Sequence, residues 1–454
     1  MIMLQVIQHI EPELDEKLQP RMKPGWWFWA AMFIGLAIRI YLVVFTEGTY
    51  DVGFWLKHAA GVRELGLINY YHANPYMNHP PFISVAISLL LRAAEACGIP
   101  FRVLLRAPFA IFDAGTALLL LYMFRNNRYR FAVCACYWLY PLTAILSAYH
   151  GNTDSSMAFF LMLCLSLLSR EREILAGVAL GVSLWVKLPV IPAIPAFVFV
   201  LPSWRKQLSF LAAIGIVGVS TYVPAIFKDP LIVYRNIFGY HGMAIQTTTG
   251  ISVWGTRIFI LPFLNSLSPQ WRERLWSPLD FLLQQSWSIS ILLIILLSWL
   301  RRSHKTTAQL GATIAAVYAI LYGFSNYWSF QYFAWSVPFW FFAPPVFLIG
   351  ATLLAGGYIY SLYWLVCGNG WLLGKWDFIG HPYWPPVVIY FRNLAVLFFF
   401  ISGCVFLIAA IYERITCCYK SVKDKSCRAK KFRRKGKQNN KRNSPKPLTT
   451  IEWE

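Results

Sequence analysis

Apolar segments about twenty residues long recur along this chain and constrain its fold more than any other feature of the sequence. The first covers 26–45, and at a rise of 1.5 Å per helical residue it can cross the roughly 30 Å hydrocarbon core of a bilayer. Hydrophobic residues make up 57% of the chain and charged residues 13%, whereas a soluble domain is about one quarter charged. The sequence therefore predicts an all-α, multi-pass membrane protein.

Basic loops indicate which of these segments cross the membrane. Three short loops, RNNRYR (125–130), SRERE (169–173) and SWRKQ (203–207), are expected on the cytoplasmic side because Lys and Arg accumulate there. If the loops alternate between the two sides of the membrane, 82–97 must lie on the outer membrane surface. The amphipathic piece 52–65 is placed on the same surface. The alternation also requires 174–201 to form a hairpin whose arms are too short to cross the bilayer fully.

The predicted architecture has about twelve transmembrane helices, with two interfacial helices in the first external loop. Besides the hairpin, the crossing segments are placed at about 26–45, 105–124, 131–148, 155–168, 208–226, 279–300, 310–324, 331–342, 346–366 and 387–412. The even count returns the chain to the side on which it began.

Five parts follow from this topology. They are a cytoplasmic N-terminus (1–25), a transmembrane module (26–226) with a long first external loop (46–104), a second large external segment (227–278), C-terminal transmembrane helices (279–412) and a basic cytoplasmic tail (413–454) predicted to be disordered. The tail carries fourteen Lys and Arg against four acids, a difference of ten out of the net charge of +21. Its position beside a membrane span favours contact with anionic lipid over RNA binding, and no nucleic acid is expected as a partner.

Asp51 opens the first long polar segment, which runs from Thr49 to Pro81 directly after the first apolar run. A carboxylate at this place can take the proton of an acceptor hydroxyl as that hydroxyl attacks a sugar. Its position alone favours an ordinary solvated loop residue, so the catalytic interpretation depends on its neighbours.

Further polar residues fall on the same predicted side of the membrane as Asp51. One carboxylate base with several cations in a poorly hydrated place suits a phosphate leaving group. The candidates for binding the donor phosphate are Lys187, Arg392, His150 and Gln331. The candidates for binding the rest of the substrate are His79, Tyr149, Asn152, Asp154 and His241. Each residue alone is also explained as an interfacial side chain, a snorkelling lysine or a headgroup anchor.

Two other patterns receive structural interpretations. Asp113 lies seven residues after Arg106, which puts both on one helix face and predicts an ion pair between them. The nine Cys are scattered without a CxxC pair, a distribution that indicates neither a zinc site nor a disulfide framework.

On these motifs the chain resembles the C-type (GT-C) membrane glycosyltransferases, which use sugars linked to polyprenyl or dolichyl phosphate. The matching elements are Asp51, Gly66, Tyr70 or Tyr71, Pro80-Pro81, IFDAGTALLLLY (111–122), HGNTD (150–154), VSLWVKLPVIPAIP (182–195) and FQYFAWSVPF (330–339). The resemblance implies that Asp51 is the catalytic base and that the anomeric carbon is inverted. It further implies transfer of a hexose, mannose or glucose, to a lipid-linked, glycan or protein acceptor on the extracytoplasmic face.

No second acid adjoins Asp51, whose neighbours are Tyr50 and Val52. A metal-free mechanism without a cofactor is therefore favoured, and Asp154 keeps a divalent metal as the alternative. The competing functions are a transporter or flippase for lipid-linked sugars and a non-catalytic binder of them. A transporter more often shows inverted repeats and paired broken helices, and only one short hairpin is predicted here. A bacterial inner membrane is favoured, with the endoplasmic reticulum membrane as the alternative.

Overall fold

The structure is a computed structural model that describes residues 23–239, 254–304, 306–326, 329–374 and 384–442. Within these ranges the chain forms helices and no strands, as the composition predicts. The first half contains α1 (Trp26–Phe45), α2 (Tyr50–Leu65), α3 (Leu67–Ala73), α4 (Pro81–Cys97), α5 (Phe101–Met123), α6 (Arg130–Leu139), α7 (Pro141–Ala144), a π-helical turn (Ile145–Tyr149), α8 (Asp154–Leu168), α9 (Glu173–Leu184), a 3-10 turn (Ile191–Ala193), α10 (Ile194–Val200) and α11 (Trp204–Ser220).

The second half begins with short pieces and ends with one long helix. It contains α12 (Val223–Lys228), α13 (Pro230–Val233), a π-helical turn (Tyr234–Phe238), α14 (Arg257–Ser266), α15 (Pro269–Gln284), α16 (Ser286–Leu300), α17 (Thr307–Phe324), a 3-10 turn (Phe330–Trp335), α18 (Val337–Trp340), α19 (Pro345–Cys367) and α20 (Pro386–Arg442). The last helix continues through the basic segment, for which the composition predicts disorder.

Five of the described helices, α1, α5, α17, α19 and the 386–416 part of α20, are long and apolar enough to cross a membrane. The number rises to seven if the bent pair 130–149 and the bent pair 269–300 each count as one span. The short apolar helices α8, α9 and 191–200 come in addition. The multi-pass character is thus supported, while the count of about twelve and the interfacial placement of α2 and α4 stay predictions.

The segment 331–342, expected to be one crossing helix, is broken in the structure. A 3-10 turn runs to Trp335, and the four-residue α18 starts afterwards. Pro338 lies in the first turn of α18, where its missing N–H costs no hydrogen bond. A proline inside a continuous helix would remove one bond and clash with the preceding turn, so the chain restarts here instead.

The basic loops come together at one end of the helical bundle. Arg170, after α8, donates from Nε to the hydroxyl of Tyr122 near the end of α5 at 3.1 Å. Lys206 at the start of α11 lies 3.7 Å from Glu173 at the start of α9. Because α5, α8 and α9 run between the two ends, Asp154 and the turn after Leu184 belong to the opposite end. This arrangement agrees with the predicted alternation of the loops.

Cysteine labelling tests which side of the membrane each end faces. In a variant lacking the nine native cysteines, Arg128→Cys is expected to react with an impermeant maleimide only from the cytoplasmic side. Tyr76→Cys, at a residue that is 84% exposed in the first loop, is the matched control and should react only from the other side. Labelling of position 128 from outside would refute the topology and the surface placement of α4.

The first loop packs as a helical pair on the bundle. Trp55 and Ala59 of α2 are buried against Ile87 and Leu91 of α4, and Val186 from the turn after α9 joins the same cluster. The opposite faces expose large apolar side chains, including Phe54 and Leu89. Helices in contact with lipid expose apolar side chains in this way. The packing of α2 on α4 and Val186 places Asp51 next to the hairpin turn.

The predicted ion pair between Asp113 and Arg106 is wrong. Asp113 instead pairs with Arg39 of α1, with Nη2 to Oδ2 at 2.5 Å and both side chains 2% exposed. Tyr137 and Ser147 also donate to the Asp113 carboxylate, at 2.5 and 3.1 Å. A rule based on sequence spacing identifies only partners on the same helix. This carboxylate, which belongs to α5, instead connects that helix to α1 and α6. These contacts fit the structural interpretation of Asp113, which stays a prediction.

Candidate active site

The chain segment that leads into Asp51 is held by Arg106 and does not form a free, solvated loop. The Arg106 guanidinium donates to the carbonyls of Val43 and Thr46 at 2.9 and 2.6 Å, which completes the last turn of α1. Gly48 follows with φ of +81°, and a Cβ there would come within 2.9 Å of Arg106 Nη1. Only glycine fits this turn without strain. The chain then enters α2 with Asp51 in its first turn.

Thr49 fixes the start of α2 to the loop that contains His150. Its hydroxyl accepts from the Asp51 N–H at 3.3 Å as the N-cap of the helix. The same hydroxyl donates to the carbonyl of His150 at 2.6 Å. Residues that are 101 positions apart are thereby held together, which places the carboxylate beside the HGNTD loop.

The Asp51 carboxylate has two nitrogen neighbours from that loop. Asn152 Nδ2 donates to Oδ2 at 2.7 Å, and His150 Nε2 lies 3.1 Å from the same oxygen. Burial by itself would raise the pKa of Asp51, but the close approach of His150, the hydrogen bond from Asn152 and the charge of Lys187 together hold this pKa below its ordinary value. Asp51 is therefore ionised at neutral pH and can accept a proton.

A second carboxylate, Asp154, holds Lys187 in place. Lys187 Nζ donates to Asp154 Oδ1 at 2.7 Å, and the indole of Trp335 donates to the same oxygen at 2.6 Å. Lys187 also lies over the rings of Tyr332 and Trp335, at 5.3 and 5.9 Å from their centroids. Within the described part of the chain, Asp154 Oδ2 is a buried oxygen without a hydrogen-bond partner. Such an atom is costly to bury unless something else binds it.

Two imidazoles complete the group on the side of α2. The His79 ring packs on Trp55 at 4.1 Å and lies 6.3 Å from the ring of His58. Burial, Lys187 and His58 hold the pKa of His79 well below its ordinary value despite the opposing charge of Asp51. Burial lowers the pKa of His58 to about 4. Both rings are neutral at physiological pH and can donate or accept hydrogen bonds with a substrate.

The structure thus brings Asp51, His79, His150, Asn152, Asp154 and Lys187 into one site, although these residues come from four separate parts of the sequence. The remaining candidates are placed differently. Tyr149 is buried with its hydroxyl 2.8 Å from Cys367 Sγ. Gln331 is 9% exposed and accepts from the hydroxyl of Ser329.

Arg392 lies in α20, is 3% exposed, and donates to Asn393 Oδ1 at 2.8 Å. Its charge is close to Tyr358, which places it next to α19. His241, the last substrate candidate, lies outside the described residues. The phosphate-binding roles of Arg392 and Gln331 and the substrate-binding roles of Tyr149 and His241 stay predictions.

Sequence reasoning missed three aromatic residues at the site: Tyr332, Trp335 and Tyr363. The first two stand in FQYFAWSVPF, the stretch whose resemblance was noted, but only Gln331 was taken from it. Tyr363 lies within an apolar helix and gives no signal among the 24 Tyr of the chain. Its hydroxyl is 2.7 Å from His150 Nδ1.

The residues that the structure describes at this site do not form a metal-binding group. Among the described residues, no three His, Cys, Asp or Glu side chains are close enough together to hold a metal ion. Asp51 and Asp154 are instead occupied by amide, imidazole, ammonium and indole donors. The metal-free mechanism stays a prediction.

The described residues form helices, several of them long and apolar enough to cross a membrane, with an ionised carboxylate and a lysine at one end of the bundle. Over 121 residues, 25% of this chain, the sequence is 30% identical to GPI mannosyltransferase 1 of Saccharomyces cerevisiae. The match spans 30% of that protein. No protein-family model matches the chain. This distant similarity supports a membrane glycosyltransferase as the general class.

Proposed function

We propose that this protein is an inverting glycosyltransferase that moves a hexose from a polyprenyl- or dolichyl-phosphate donor to an acceptor at the extracytoplasmic face. The observation that carries the proposal is the Asp51 carboxylate, which is held ionised by His150 and Asn152 next to the ammonium of Lys187. Displacement at an anomeric carbon requires a base that takes the proton of the attacking hydroxyl and a cation that stabilises the leaving phosphate.

In the proposed reaction Asp51 takes the proton of the acceptor hydroxyl while that oxygen forms a bond to the anomeric carbon. The bond between this carbon and the phosphate oxygen breaks, and its electron pair leaves with the lipid phosphate. Lys187 stabilises the departing phosphate. An ammonium has three N–H donors, and Asp154 Oδ1 takes one of them. Poor hydration at the membrane boundary makes such a charge more effective than in bulk water.

The aromatic pair next to Lys187 supports a sugar at this place. Tyr332 and Trp335 are stacked with centroids 4.1 Å apart, and Trp335 also holds Asp154. Aromatic faces suit the apolar face of a pyranose, while the buried oxygen Asp154 Oδ2 can accept from a sugar hydroxyl. Mannose is the first hexose to test, because the similar yeast protein is named a mannosyltransferase. Glucose is the second.

The test is a transfer assay with purified protein in lipid nanodiscs. Short-chain polyprenyl-phosphate mannose and glucose are supplied with lipid-linked and glycan acceptors, and the product is identified by mass spectrometry. We expect one donor to give product of inverted configuration. Co-purification of lipid-linked sugar without transfer would favour a non-catalytic binder, and movement of the intact donor across the bilayer would favour a flippase.

A further inference from the structure

Tyr363 of α19 is a fully buried residue that the proposed reaction does not yet use. Its hydroxyl lies 2.7 Å from His150 Nδ1, and the other nitrogen of that imidazole, Nε2, lies 3.1 Å from Asp51 Oδ2. The His150 ring, which is 1% exposed, lies between a buried phenol and the carboxylate and contacts both.

The carboxylate determines which imidazole nitrogen carries the proton. A bare Nε2 would direct its lone pair at the negative oxygen of Asp51 from 3.1 Å, which is repulsive, so Nε2 carries hydrogen. In the neutral ring Nδ1 is then an acceptor, and the Tyr363 hydroxyl is its donor. In the other tautomer Nδ1–H could donate to the Tyr363 oxygen, but the contact between Nε2 and Asp51 would become repulsive.

The bond at Nδ1 matters because the contact at Nε2 is poorly aligned. Among the described residues, Nε2 has an acceptor within 3.1 Å but none in good hydrogen-bond geometry. The imidazole is thus held through its Nδ1 side, by Tyr363 and by packing against Phe330 at 5.6 Å. Without the phenol hydroxyl, the ring would lose its hydrogen bond at Nδ1, and the direction of Nε2 toward Asp51 would be held by packing.

We propose that Tyr363 is a positioning residue that holds the His150 ring with Nε2–H toward Asp51 Oδ2 and thereby reserves Asp51 Oδ1 for the acceptor hydroxyl. Both contacts of the Asp51 carboxylate among the described residues, from Asn152 and His150, fall on Oδ2. Oδ1 is the oxygen left to take the proton. The proposal rests on the function proposed above and adds the residue that orients its base.

Tyr363→Phe removes the hydroxyl and keeps the ring, which packs on Tyr149 and Phe330 at 5.9 and 5.8 Å. We expect kcat to fall roughly 10-fold with KM nearly unchanged, since the effect reaches substrate only through the base. The acidic limb of the pH profile should move to higher pH, because a lost donor to Asp51 raises the pKa of this carboxyl. The Asp51 carboxyl has three other charged or titratable neighbours, namely His58, His79 and Lys187. All three are unchanged in this variant.

A double-mutant cycle separates positioning from a general loss of packing. In His150→Gln the amide nitrogen replaces Nε2, and no ring nitrogen is left for the Tyr363 hydroxyl to orient. Tyr363→Phe should then change kcat by less than about 2-fold in this background, although it costs about 10-fold in the parent. Tyr140→Phe is the matched control, since it also removes a tyrosine hydroxyl bond, a part-buried one of 2.7 Å to the Thr352 carbonyl, at a position away from the site. It should leave kcat unchanged.

A readout without activity keeps the two proposals distinguishable. Nitrogen-15 histidine spectra, with the His150 signal assigned through His150→Gln, report the tautomer directly. We expect an Nε2–H ring in the parent, and in Tyr363→Phe an Nε2–H signal shifted toward that of an imidazole without a hydrogen bond to a carboxylate. Equal losses in both arms of the cycle, or an Nδ1–H ring in the parent, would overturn the role of Tyr363. If the parent transfers no sugar, the function fails and the spectra still decide this inference.

Discussion

Asp51→Asn is expected to lower sugar transfer by about 10²-fold or more while expression and donor binding stay close to the parent. The amide has the size of the carboxylate and can still accept from Asn152, but it cannot take a proton from the acceptor. A general base acts on the transition state, so its loss appears in kcat and not in ground-state affinity. A 10²-fold loss corresponds to about 2.7 kcal/mol in the barrier.

Asp229→Asn is the matched control for this change. Asp229 is another loop carboxylate; it pairs with His72 at 2.9 Å and caps α13 through Ile232 N–H at 3.0 Å. Asparagine caps a helix about as well, so this variant should keep parental activity and stability. Transfer at the parental rate by Asp51→Asn would remove Asp51 from the catalytic role.

Lys187→Met is expected to reduce turnover and donor affinity together, because a lipid phosphate is charged both before and during transfer. The structure adds a second effect that the sequence did not indicate. Asp154 is 1% exposed and loses its cation in this variant. Removing one partner of a buried pair costs about 3–5 kcal/mol, less if Asp154 takes up a proton. A lower melting temperature in detergent is therefore expected.

The double variant Lys187→Met/Asp154→Asn distinguishes these two effects. Neutralising Asp154 should restore most of the stability, whereas transfer should stay low because the cation is still missing. Lys57→Met, at an exposed lysine of α2, is the control and should match the parent in both assays. If Lys187→Met binds donor normally, the phosphate is held elsewhere, and Arg392→Met becomes the next variant to measure.

The parts of the site that could be predicted are those marked by local chemistry. Asp51 and His79 lie in the first long polar segment, whereas HGNTD and Lys187 interrupt apolar sequence. The rule that places basic loops on one side assigned all of them to one end of the bundle. The helix bounds of the first loop follow from Pro81 at the start of α4 and Gly98, in the left-handed region, at its end.

What could not be predicted depends on contacts between distant segments. Arg39 and Asp113 are 74 residues apart, and no periodicity relates them, so the nearer Arg106 was chosen. Trp335 and Tyr363 are aromatic residues in apolar stretches, where 17% of the whole chain is aromatic. Only the packing of the 3-10 turn at 330–335 on α8, and of α19 beside His150, gives them a role. Breaks such as the bend of 53° between Leu139 and Pro141 depend equally on tertiary packing.

The Arg39–Asp113 pair also has a consequence for how the chain is made. Translation completes α1 with its arginine 74 residues before the neutralising carboxylate exists. An arginine at the centre of an isolated helix costs about 2.5–3.5 kcal/mol to insert into the bilayer. We therefore expect α1 to enter the lipid stably only once α5 has emerged from the ribosome, so that biosynthetic insertion of the two helices is a single coupled event. A nascent chain stopped short of position 113 should leave its first helix only partly integrated.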